Sequence, residues 1–149
     1  MFFNVLTAFI FPWILGIVHL YKKDKQIIHF IAPLFSVVAF VINEFGLYFD
    51  FWKISPFFDQ KTLSAMPFNL GLYPILASYL IYYIKKTNKP YLILIIFSLS
   101  TTILELTFVL AGKVIYSNGW NIYWTFFSYL FPFMCMYYYF LYLKKVNLI

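Results

Sequence analysis

The chain has 149 residues, 64% of them hydrophobic, 26% aromatic and only 11% charged, with a net charge of +6 carried entirely by lysine. Soluble domains carry about 25% charged residues, so the composition excludes one, and the length suits a single domain immersed in lipid. The absence of arginine, the usual bidentate base reader, and the placing of lysines in short clusters between apolar runs exclude nucleic acid as the partner.

A bilayer core takes about 20 apolar residues per helix, and five stretches qualify. The first, 2–21, opens MFFNVLTAF with no basic residue ahead of it. It lacks the positive leader of a cleavable signal peptide and reads as a retained span. The second covers 26–48 and is followed by FDFWKISPFFDQK, 49–61, in which Phe49, Phe51, Trp52, Phe57 and Phe58 suit the headgroup level. The third, 62–84, contains PFNLGLYP, two prolines seven apart with an asparagine and a glycine between them. The fourth, 90–112, is followed by YSNGW, whose Asn-Gly pair signals a turn. The fifth covers 120–143. The predicted fold is therefore all-α, one integral membrane bundle of five transmembrane helices over 1–149.

Charge sets the direction. Eight lysines (22, 23, 25, 85, 86, 89, 144 and 145) follow spans one, three and five, against Lys53, Lys61 and Lys113 on the other side. The positive-inside rule puts the amino terminus outside and the carboxyl terminus in the cytoplasm of a bacterial cell membrane.

A charged side chain within the bilayer is costly and usually faces the bundle interior. Two occur, Glu44 and Glu105, and no span holds a lysine. At about 1.5 Å of rise per residue, Glu105 and Asn69 lie roughly 10 Å below the outer ends of their spans, and Glu44 and Trp124 roughly 6 Å. Ser98, Thr101, Thr102 and Glu105 share one stripe of the fourth span. Pro74 cannot donate to the Leu70 carbonyl, Gly71 permits close helix approach, and Asn69 and Tyr73, four apart, share a face. These residues predict a polar site near the outer leaflet formed by Glu44, Asn69, Tyr73, Glu105 and Trp124, with at least one of the two carboxyls protonated at neutral pH or the two sharing a proton or a cation. The single cysteine, Cys135, excludes an intrachain disulfide, and no Cys/His spacing suggests a metal. No cofactor is implied.

PFNLGLYP, the glutamate in ILELTFVLAGKVIY, and GWNIYWTFFSY resemble a family of small multi-span membrane proteins from spore-forming, low-GC Gram-positive bacteria. The family has no assigned reaction, so the resemblance implies a compact helical membrane protein and no chemistry. No nucleophile elbow, phosphate loop or dinucleotide fingerprint is present. The reading is a ligand-binding or assembly protein, in the bilayer or in a homo-oligomer or membrane complex, rather than an enzyme. A proton- or cation-coupled transporter subunit and a lipid-phase enzyme with a protonated glutamate are the alternatives.

Overall fold

A computed structural model describes all residues, 1–149. Five helical rods run up and down: α1 (Phe2–Tyr21), α2 (Lys25–Tyr48), α3 (61–87), α4 (Pro90–Leu110) and α5 (Ile122–Lys145). Their limits match the apolar runs to within three residues. The breaks have local causes. Asp24 turns extended between α1 and α2. Asn88 closes α3 in the left-handed conformation, and Pro90 then disfavours helix at Lys89 and starts α4. The Asn121 side chain accepts from the backbone N–H groups of Tyr123 (3.0 Å) and Trp124 (3.4 Å), capping α5.

Four of the five, α1, α2, α4 and α5, are long and apolar enough to cross a membrane. Their outward residues, among them Ile14, Val37, Phe45, Ile103 and Phe131, are exposed, so the outside of the bundle is apolar. The fifth predicted span, α3, falls short of their apolarity. The cause is position: thirteen residues of α3 are buried, against four of α4. As the central helix it meets neighbours rather than the outer surface of the bundle and carries Ser64, Asn69, Ser78 and two prolines.

Pro74 withholds the N–H that the Leu70 carbonyl would take in an α-helix, and the chain widens to a π-helix over Phe68–Leu72. The indole Nε1 of Trp13 on α1 donates to that carbonyl at 2.8 Å, so the freed backbone acceptor is paired again. The facing part of α1, Leu6–Ile10, is also a π-helix. The two wide turns pack so closely that a Cβ on Gly71 would stand 2.2 Å from the Ala8 carbonyl oxygen.

Strands were not expected. The loops after α2 and α4 nevertheless pair as a two-stranded antiparallel ribbon, β1 (Trp52–Ile54) with β2 (Val114–Tyr116), in the register Trp52–Tyr116 and Ile54–Val114. The predicted interfacial anchor is thus half of a cap. Phe51 stacks on Trp120 with centroids 5.1 Å apart, and Trp52 meets Trp120 edge to face at 4.8 Å. Asn4 of α1 ties this cap to α3 by donating to the carbonyls of Ser55 (2.7 Å) and Ser64 (3.2 Å). The main apolar core, around Phe35, Leu80, Ile81, Phe133 and Phe140, fills the bundle between the cap and the end bearing the eight lysines.

Lys61 also reaches back to the cap, donating to the Asp50 carboxylate at 2.6 Å. That hydrogen bond holds the Asp50 carboxyl below its usual range. A lowered folded-state pKa gives stability that is present above the usual carboxylate range and is lost as the pH falls through the folded value. The expected result is a small acid-side loss of thermal stability that Asp50→Asn removes, read as melting temperature against pH for the two proteins.

Candidate functional site

A cavity of about 60 Å³ lies beneath the cap, between α2, α3, α4, α5 and the two strands. It has room for a few water molecules or one small chemical group, since a water needs about 10–15 Å³ of such space. Thirteen of its eighteen lining residues are hydrophobic, so its few polar groups decide its chemistry.

Glu105 of α4 is the one charged residue among them. The Tyr116 hydroxyl, from β2, donates to Oε1 at 2.5 Å, and the Tyr129 hydroxyl, from α5, donates to Oε2. Behind them, Tyr73 Oη of α3 lies 3.4 Å from Tyr129 Oη, and Thr125 Oγ1 lies 2.9 Å from Tyr116 Oη. Trp120 Nε1 donates to Thr125 Oγ1 at 2.9 Å. Burial, and next the Glu105 carboxyl beside it, push the Tyr116 phenol above its usual range, so its hydroxyl keeps its proton at any physiological pH. The cavity places no lysine or histidine near this carboxyl.

A second polar chain enters from α2. Trp52 Nε1 of the cap donates to Asn43 Oδ1 at 3.2 Å, and Asn43 Nδ2 donates to Asn69 Oδ1 at 2.5 Å. The indole fixes the orientation of both amides, because it can only donate. Asn69 Nδ2 is left buried without a partner.

Of the five predicted site residues, the structure brings Tyr73 and Glu105 to the cavity wall. Asn69 stands behind that wall and reaches the cavity only through Asn43. Glu44 and Trp124 lie elsewhere. Glu44 is exposed, accepts from Thr62 Oγ1 at 2.5 Å and faces an open groove with Asp59 and Lys61. Trp124 is 56% exposed. A shared site for two carboxyls is therefore not formed. One helical position explains the difference: Asn43 and Glu44 are adjacent, about 100° apart around α2, and Asn43 takes the inner face. The Leu70 carbonyl, freed by Pro74, accepts from Trp13 of α1.

Sequence reasoning missed Asn43, Trp52, Tyr116, Trp120, Thr125 and Tyr129. The heptad-like spacing of Ser36 and Asn43 pointed to the inner face of α2. The alternation of Val114 and Tyr116 could have flagged a strand. Nothing local marks Thr125 or Tyr129 among the many aromatic and hydroxyl residues of α5. No cluster of three His, Cys, Asp or Glu residues gathers that could hold a metal ion. No family model, curated protein or solved structure matches the chain.

Proposed function

We propose that the chain is an integral membrane binding protein whose five helices cross the bilayer, amino terminus outside. The cavity beneath the outer cap takes the cationic head of a small amine or of an amine-bearing lipid. One observation carries this reading: a lone carboxylate, Glu105, held by tyrosine hydroxyls in an aromatic cavity that supplies no positive charge. Trp52, Trp120, Phe68, Phe108, Tyr73 and Tyr129 line the same space, and aromatic faces attract ammonium groups by about 0.5–2 kcal/mol each, more when desolvated. Each carboxylate oxygen has a lone pair beyond the one its tyrosine uses, so a cation adds to the arrangement without breaking it. The eight lysines at the opposite end support the orientation.

A thermal-shift titration of the purified protein with tetramethylammonium and short alkylamines tests the proposal. A saturable rise in melting temperature is expected, equivalent to about 2.7 kcal/mol when the ligand is at 100 times its Kd. Glu105→Gln keeps the shape, removes the charge and should abolish the rise. An equal rise with a neutral branched alcohol of the same size, or a rise that survives in Glu105→Gln, would overturn it.

A further inference from the structure

Beneath the cap, the cavity wall presents lone pairs and almost no free hydrogens. Tyr129 donates to Glu105 Oε2, so in the 3.4 Å contact between the Tyr73 and Tyr129 hydroxyls Tyr73 is the donor. Ser128 Oγ donates to the Thr125 carbonyl at 2.8 Å, and Thr101 Oγ1 to the Phe97 carbonyl at 2.7 Å. The indoles of Trp52 and Trp120 donate to Asn43 Oδ1 and Thr125 Oγ1. Every hydroxyl and indole hydrogen lining the cavity is thus used within the protein. The one side-chain hydrogen left over is the second on Asn43 Nδ2, whose first goes to Asn69 Oδ1. Acceptors, in contrast, remain open. Each Glu105 oxygen keeps a lone pair beyond the one its tyrosine uses, Asn43 Oδ1 keeps one beyond the Trp52 bond, and Ser128 Oγ keeps its own.

An aromatic cavity with a carboxylate suits two kinds of cation, and this distribution of donors and acceptors separates them. A quaternary ammonium binds through its methyl groups to ring faces and has no hydrogen to give. It would cover the open acceptors and leave them without partners, which is costly when they are buried. A protonated amine brings both the charge and N–H donors. We infer that the ligand carries a primary ammonium, whose three N–H groups meet the open acceptors, and that the cavity discriminates against quaternary ammonium. This rests on the binding reading above and adds the ligand's class to it. About 60 Å³ holds roughly four to six water-sized groups, so the part enclosed is a short head. Among amine-bearing lipids the ethanolamine head, which ends in a primary ammonium, fits this rule. The choline head, whose nitrogen carries three methyl groups, does not.

The test uses the full chain in phosphatidylcholine nanodiscs and follows tryptophan fluorescence, since Trp52 and Trp120 line the cavity. Four cations of equal charge and equal heavy-atom number are titrated: n-butylammonium, diethylammonium, ethyldimethylammonium and tetramethylammonium, with three, two, one and no N–H groups. Kd should rise along that series, by roughly tenfold or more from first to last, the factor that one hydrogen bond to a charged group supplies. Attraction to aromatic faces alone would give the reverse order, because the quaternary ion sheds its water most readily. Glu105→Gln should weaken all four and flatten the order. Tetramethylammonium binding as tightly as n-butylammonium would overturn the primary ammonium and leave the binding reading standing. Failure of all four cations to bind would overturn the binding reading and the primary ammonium with it. A final arm adds phosphatidylethanolamine to the nanodisc. Competition with n-butylammonium supports the inference with a lipid as the ligand, and an unchanged Kd supports it with a free amine.

Discussion

Gly71→Ala is expected to loosen α1 from α3 and to destabilise the protein by about 3 kcal/mol, the upper end of the usual range for overpacking. The added Cβ would sit 2.2 Å from the Ala8 carbonyl oxygen and 2.5 Å from the Phe9 Cα. Both are backbone atoms, so no rotamer change relieves the contact and the helices must separate. Separation also pulls Trp13 from the Leu70 carbonyl. Two other glycines calibrate the result. At Gly16 the new Cβ would meet only the flexible end of Ile75, at 2.7 Å, and a smaller loss follows. At Gly112 it would meet nothing within 4 Å, but φ is +66°, so alanine there brings only the left-handed backbone penalty of about 1–2 kcal/mol. Reversible unfolding in mixed micelles of the three variants should rank Gly71→Ala as the most destabilised, and any other order would mean that the π-helical contact is slack.

The second large effect is expected at Asn43. Asn43→Leu removes the acceptor of Trp52 Nε1 and the donor to Asn69, newly unpairing the Trp52 indole N–H and Asn69 Oδ1 under the cap. At about 1–3 kcal/mol for each buried polar group left unsatisfied, the two groups make the loss roughly 2–6 kcal/mol. Asn69→Leu added to Asn43→Leu removes the unpaired amide and should recover part of that loss, because replacing both partners by apolar groups of similar shape is nearly neutral. A double-mutant cycle with a coupling energy near zero would mean that the two amides do not interact. Tryptophan fluorescence adds a local readout, since Trp52 should become more mobile in the single variant.

The helices were legible because long, uniform apolar runs of the length that spans a bilayer form helices, and those runs end within three residues of the observed limits. The inward stripe of α4 was legible for a related reason. Ser98, Thr101 and Thr102 are buried, and Glu105 follows them onto the cavity wall. What the sequence left hidden lies in the loops and in single helical positions. A three-residue strand carries too little pattern to announce its partner, and Val114–Tyr116 sits about sixty residues from Trp52–Ile54. Depth alone placed Glu44 and Trp124 beside Glu105, but depth fixes only one coordinate. Rotation about the helix axis fixes the other, and a shift of one residue moved Glu44 to the surface and Asn43 inside. PFNLGLYP was read correctly as a disturbed helix. Its disturbance serves the seam with α1 as much as the cavity, since Gly71 and Leu70 meet Ala8 and Trp13.

The ribbon that joins β1 to β2 also orders events during synthesis. A chain emerges from its amino terminus, so the loop bearing Trp52 is complete long before Val114–Tyr116 exists. Until α4 has been made, that loop has no strand partner, and its hydrogen-bonding edge and aromatic rings are unguarded. Glu105, Tyr116, Thr125 and Tyr129 all lie in the last third of the chain. The acidic centre and the lid over it are therefore finished together, and a truncated or stalled chain ending before α4 would have three helices and an open rim but no working interior.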